Sequence, residues 1–275
     1  MSAPELSPVR RRVVLGLGGA MLGSAMLGSA MLGGAARGQP VSPAVPLKVL
    51  GIGAVEHAVR DLAEDFNRAT GRAVTLETGN GGQVAARIRA GERFDVVLNA
   101  ATTLDALIAE GRLDGTTRRE LGRVRIGLAV RRGAPLPAIG SADALRAALL
   151  AAPSIAHSDG ASGATTGRHI LAMLEKLGIA QAVAARLMPF PRGLLAVQAV
   201  ADGRAALVMT QTSEIVVVPG VVLVGPLPAA LQLITPYVGA AVAGLPEGAA
   251  AREFLDHLAG SEGRARFRAA GFTVT

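Results

Sequence analysis

The sequence predicts an α/β protein of two lobes, each a mostly parallel sheet flanked by helices. Three observations lead there. Half of the 275 residues are apolar and 18% are charged, enough to fill a sizeable core and too apolar for a disordered chain. From residue 47 onward, short apolar runs alternate with segments of helical period. The alternation restarts after about residue 125, and two α/β units in sequence suggest two lobes.

Leu47 to Leu50 reads as a strand closed by Gly51-Ile52-Gly53. A helix follows over about 55–69, with Val55, Val59, Leu62 and Phe66 on one face and Gly71 as its stop. Ala73 to Glu77 is a second strand, the loop Thr78 to Gly82 follows, and a helix runs from Gln83 to Ala90. Phe94 to Leu98 is a buried strand, and Thr102 or Thr103 is expected to cap the next helix. Val124 to Val130 is an apolar strand, and Ser141 caps a helix. Ser154 to His157 is a strand, and the loop Ser158 to Gly163 opens a helix reaching about Leu177. Gly193 to Ala201 is helical, and Ala205 to Met209 is a strand. A last apolar strand near 231–243 precedes helices at Glu247–Leu258 and Ser261–Ala269.

The first forty residues read as an address. Arg10-Arg11-Arg12 precedes an uncharged stretch from Val13 to Ala36 that contains the duplication GSAMLGSAMLG. A basic start, an apolar run and a small-residue end describe an export signal, cleaved near Ala36. Arg11-Arg12-Val13-Val14-Leu15 fits the twin-arginine route. A retained membrane anchor is the alternative, although the run is interrupted by Gly. Residues 37–46, with three Pro, form a linker. The signal holds three Arg and one Glu, so the net charge of +7 becomes +5 in the mature chain.

The absence of Cys excludes disulfides, thiolate metal sites, a Cys nucleophile and a lipid-modified N-terminal cysteine. One Tyr, six Phe and no Trp disfavour stacking platforms for nucleic acid or sugars. The four His form no close ligand pair, and neither a Rossmann nor a Walker A sequence occurs. No cofactor, metal or nucleic acid is expected.

Three Gly- or Ser-rich loops each follow a strand and open a helix: Gly51 to Ala54, Thr78 to Gly82, and Asp159 to Gly163. Backbone N–H groups there can hold an anion, and glycine lets the ligand approach. Gly53, Ala54, Gly81, Gly82 and Gly163 are therefore candidate ligand contacts, with Asn80, Gln83, Ser162, Thr165, Thr210 and Gln211 as polar lining. Arg168 and Arg192 stand beside helix starts, where a guanidinium can fork onto a carboxylate.

The segments Ala58–Gly71 (AVRDLAEDFNRATG), Gly79–Ile88 (GNGGQVAARI), Phe94–Leu98 (FDVVL), Ala251–Leu258 (AREFLDHL) and Gly271-Phe272 occur in an order and spacing that resemble the periplasmic solute-binding proteins of ABC-type transporters, in particular the molybdate-binding branch. The resemblance spans nearly all of 47–273. It implies a type 2 periplasmic-binding-protein fold with one lobe at 47–125 and 232–275 and the other at 126–231, a two-strand hinge, an anion in the cleft, a monomer and delivery to an inner-membrane permease; without a cysteine to lipidate, the mature chain is expected free in the periplasm. Molybdate binders hold the oxyanion with a serine in each of the first two loops and a tyrosine after a late strand. This chain has Ala54, Gly81 and, by alignment, about Met209 there. A larger organic carboxylate is the expected ligand, with molybdate or another oxyanion as an alternative.

The competing reading is an enzyme on the same frame, a periplasmic isomerase resembling aconitate isomerase. Its chemistry removes a proton allylic to carboxylates and holds the charge that develops. His57, His169 and Glu77 are the candidate bases and Arg192 a candidate donor. A surface interaction module using the basic charge is a third reading, weakened because the Arg residues are scattered.

Overall fold

The computed structural model describes residues 45–246 and 248–274. The export signal, the twin-arginine segment and all but the last two residues of the linker lie outside them. In chain order the elements are β1 (Leu47–Ile52), α1 (Glu56–Thr70), β2 (Val74–Gly79), α2 (Gly81–Arg89), β3 (Val96–Ala100), α3 (Ala101–Ala109), β4 (Leu113–Arg131), α4 (Ala142–Ala151), β5 (Ile155–Ser158) and α5 (Thr165–Lys176). There follow α6 (Ala180–Val183), β6 (Leu187–Phe190), α7 (Gly193–Ala201), β7 (Leu207–Gln211), α8 (Thr212–Ile215), β8 (Val221–Pro226), β9 (Ile234–Val242), α9 (Gly248–Ala259) and α10 (Ser261–Ala269).

The strands lie in the order β2-β1-β3-β9-β4-β7-β5-β6, with β8 also paired to β4. Parallel pairs β1–β2, β1–β3, β5–β6 and β5–β7 flank a middle of antiparallel pairs made by β4, β8 and β9. β4 serves both halves. It pairs with β9 from Leu113 to Arg125, then with β7 and β8 from Ile126 to Arg131. The chain returns between β8 and β9.

Local chemistry explains where the elements differ from the sequence expectation. α2 starts two residues early because Asn80 and Gln83 form a reciprocal capping box: Gln83 N donates to Asn80 Oδ1 at 2.9 Å and Asn80 N to Gln83 Oε1 at 3.0 Å. Gly81 and Gly82 thus belong to the first helical turn. Neither Thr102 nor Thr103 caps α3; the cap position is Ala100, whose N–H donates to Asn99 Oδ1 at 2.8 Å. The strand expected at 124–130 begins at Leu113, since β9 pairs along it through two register shifts. Gly122, with φ +138°, sits at the second shift, in a conformation only glycine adopts freely.

The core of the first half gathers β1, β3, α1, α9 and the C-terminal segment. Phe66 from α1 meets Phe254 from α9 edge-on, with centroids 5.2 Å apart. A separate core under β4, β5 and β7 packs α4 and α5, and a third holds α7.

Candidate functional site

A cleft opens where the carboxyl ends of β1, β2, β3, β5 and β7 converge, the usual ligand position of an open α/β sheet. Five helix starts reach it: Gly53-Ala54 ahead of α1, Gly81 of α2, Ala100 ahead of α3, Thr165 of α5 and Gly193 of α7. Their N–H groups and dipoles make the cleft favourable for negative charge.

The two halves touch around it. Asn80 Nδ2 donates to the Ser162 carbonyl at 3.0 Å and to Ser162 Oγ at 3.1 Å. Gly82 and Gly163 abut so closely that a Cβ on either would lie 3.2 Å from the other's Cα. Gly163 has φ +96°, a second reason for glycine there. Arg192 Nη1 donates to Thr78 Oγ1 at 3.1 Å and to Glu56 Oε2 at 3.3 Å.

The floor of the cleft is polar. Asn99, fully buried at the end of β3, donates to the Gly81 carbonyl at 3.1 Å. Ser158, only 4% exposed, lines the cleft with a hydroxyl that has no protein partner. Glu214, 8% exposed, accepts from Thr210 Oγ1 at 2.6 Å and makes backbone hydrogen bonds with Leu194 and Gln211. Burial pushes its pKa above the ordinary carboxylate range, against the opposing pull of the Thr210 bond, those backbone bonds and the Arg192 charge. Tyr237 enters from β9, and Gln211 Nε2 donates to its phenol oxygen. Its ring stacks edge-on against Phe272, itself edge-on to Phe267.

Burial is the main cause that raises the Tyr237 pKa; the Gln211 bond opposes it, the nearby Glu214 carboxyl adds to it and the Thr235 bond lowers it slightly. A group with a raised folded pKa stabilises the fold fully below its unfolded value, and loses that contribution as pH rises through the folded one. Tyr237 is the sole tyrosine and there is no Trp, so the spectrum isolates it. The tyrosinate absorbance band is expected to stay silent in the folded protein at about pH 10–11, where a free phenol ionises, and to appear only as circular dichroism reports unfolding. Reversible ionisation near pH 10 in the folded chain would refute the burial.

The chain matches the family model of the bacterial extracellular solute-binding proteins over residues 47–273. It belongs to that family. Among curated relatives of this solute-binding protein is aconitate isomerase from a Pseudomonas species, 36% identical over 228 residues, covering 80% of this chain and 84% of that protein. Among solved structures, the periplasmic molybdate-binding protein of Azotobacter vinelandii superposes with a TM-score of 0.71 at 21% identity, covering 83% of this chain and 99% of that one. The fructose-6-phosphate-bound periplasmic binding protein of Actinobacillus pleuropneumoniae gives 0.65 at 12% identity, over 83% and 84%. These likenesses show the α/β periplasmic-binding-protein fold. No described helix is long and apolar enough to cross a membrane.

In this solute-binding protein, Gly53, Ala54, Asn80, Gly81, Thr165, Arg192 and Gln211 line the cleft together. Gln83 instead completes the capping box, Gly82, Ser162 and Gly163 make the contact between halves, and Thr210 holds Glu214. Arg168 is exposed outside the lining, one turn too far along α5. The three candidate bases do not reach the cleft. His57 is exposed on the outer side of α1, His169 Nε2 lies 2.8 Å from the Leu231 carbonyl oxygen, and exposed Glu77 pairs with Arg87 at 2.8 Å. Met209 is buried in the second core. The cleft nevertheless contains a tyrosine hydroxyl, brought by the return strand β9 rather than by β7.

Sequence reasoning did not single out Asn99, Ser158, Glu214 or Tyr237. Asn99 and Ser158 carry a legible signal, since each stands at the carboxyl end of a parallel strand. Glu214 and Tyr237 do not, because only the packing of α8 and β9 turns them inward.

Proposed function

We propose that the protein takes a small polycarboxylate of the aconitate kind into the cleft and interconverts its cis and trans isomers. The observation that carries this reading is the 36% identity to aconitate isomerase across 84% of that protein. The cleft chemistry supports it. Removing a methylene proton allylic to carboxylates leaves an extended anion, and convergent helix starts, Ser158 and Arg192 supply donors where that charge spreads. Arg192 already spans the cleft to Thr78 and Glu56, so its guanidinium stands where a carboxylate would enter. With Ala54 and Gly81 lining the first two loops, the site offers mostly backbone donors there, which suit a broad organic anion better than a compact tetrahedral one.

Family membership favours a second reading, capture without turnover and delivery to an inner-membrane transporter. One experiment separates them. The purified mature chain is incubated with cis-aconitate while the trans isomer is followed by proton resonance, and calorimetry is run in parallel. Conversion is the expected result. Binding of cis-aconitate with no conversion would favour capture alone. Tight molybdate binding with no tricarboxylate binding would overturn the isomerase reading and make the captured ligand a compact oxyanion.

A further inference from the structure

Resting on the isomerase reading, we infer that Glu214 is the catalytic residue that carries the proton between the two ends of the allylic system. It supplies the only carboxyl among the described residues that line the cleft, and no histidine lines it. The Ser158 hydroxyl has no hydrogen-bond partner that would activate it as a base. The Tyr237 phenol receives a hydrogen bond from Gln211 and is a poor base in its buried setting.

The carboxyl is held firmly, as proton transfer requires. Thr210 fixes one oxygen at 2.6 Å. The start of α7 presses on the same carboxyl, since a Cβ on Gly193 would lie 2.7 Å from Glu214 Cδ. Across the cleft, a Cβ on Gly53 would lie 3.1 Å from the other oxygen. The side chain is thus clamped between two glycines at the wall of the cleft that the helix starts converge on. Ser158 Oγ, buried and without a protein partner, adds a second polar group to the lining of the same cleft.

The step balances without an added reactant. The Glu214 carboxylate takes a proton from the methylene carbon, and the C–H electron pair spreads over the double bond and its carboxylates. The bond to the methylene carbon gains double-bond character, and the way that arm is turned when its proton leaves sets the geometry of the new double bond. The same carboxyl then returns the proton to the far carbon, leaving the double bond moved and nothing oxidised or reduced. Burial raises the Glu214 pKa, which makes its carboxylate a stronger base than an exposed one. The charged and titratable groups that face it are Arg192 and Tyr237 in the cleft, and Glu56, His57 and Arg60 along the groove on its outer side.

The test compares the full mature chain with Glu214→Gln, which keeps the shape and an acceptor for Thr210. Three quantities are read: affinity for tricarballylate, the saturated analogue; turnover of cis-aconitate; and exchange of its methylene protons in heavy water. The variant is expected to bind tricarballylate within a few-fold of the parent. Its turnover and exchange should fall by about 100-fold or more with KM little changed. A purely structural Glu214 would instead weaken binding and turnover together. A folded variant that keeps turnover within threefold overturns the assignment and leaves the isomerase reading intact. A parent chain that binds tricarballylate yet neither converts nor exchanges cis-aconitate overturns that reading itself. Should Glu214→Gln fail to fold, the parent's rate–pH profile decides. A single ionisation above the ordinary carboxylate range supports Glu214, and a pH-independent rate overturns it.

Discussion

Gly193→Ala is expected to abolish ligand capture and turnover and to lower stability by about 3 kcal/mol, the upper range of overpacking costs. The new methyl would overlap Glu214 Oε2 and Thr210 Oγ1 and lie 2.7 Å from Glu214 Cδ. Neither partner can retreat. Thr210 is fully buried in β7, and Glu214 is held by Thr210 and faced by Gly53. Relief requires the start of α7 to move, which carries Arg192 and the α7 backbone donors away from the cleft. Urea unfolding would read the stability and calorimetry with tricarballylate the binding. Gly140→Ala is the control, because nothing lies within 4 Å of a Cβ there. Affinity within twofold of the parent would show that the clamp on Glu214 is not tight.

Phe254→Ala is expected to destabilise the chain by about 3–5 kcal/mol, the range for truncating a fully buried phenylalanine. The ring is wholly buried, and it meets Phe66 at an interplanar angle of 73°. α9 comes from the end of the chain, yet its apolar side closes the core built by β1, β3 and α1. A lowered urea midpoint with an unchanged slope is the expected result. A loss under 1 kcal/mol would mean that α9 is not an essential wall of that core.

Much of the fold is legible in the sequence because its determinants are local. α1 is set by the spacing of Val59, Leu62 and Phe66 and stopped by Gly71 with φ +71°, all readable along one stretch of chain. α7 occupies Gly193–Ala201, as its apolar run and preceding Pro-Arg suggest. β4 is harder. Its first part, with Thr116, Arg118 and Arg119, has no apolar alternation to announce a strand. β9 pairs with Leu113, Asp114 and Arg119 on either side of a register shift that holds Thr116 and Arg118, and a partner more than a hundred residues away leaves no periodic trace in the segment it recruits.

The candidate site divides along the same line. Gly53, Asn80, Gly81 and Arg192 could be named beforehand, since a Gly-rich turn or a basic residue at a helix start declares its chemistry within a few residues. The choice among them, and the finding of Asn99, Ser158, Glu214 and Tyr237, needed the packed chain. His57, His169 and Glu77 have suitable titratable groups, yet α1, α5 and β2 turn them to the outside or engage them elsewhere. By itself the sequence determined an α/β chain of the solute-binding kind, with helix starts fit to receive an anion. Only the tertiary structure decided which carboxyl is buried in the cleft. Burial depends on what strands and helices far apart in the chain place around a group, and at position 214 it raises the pKa of a glutamate above its ordinary value.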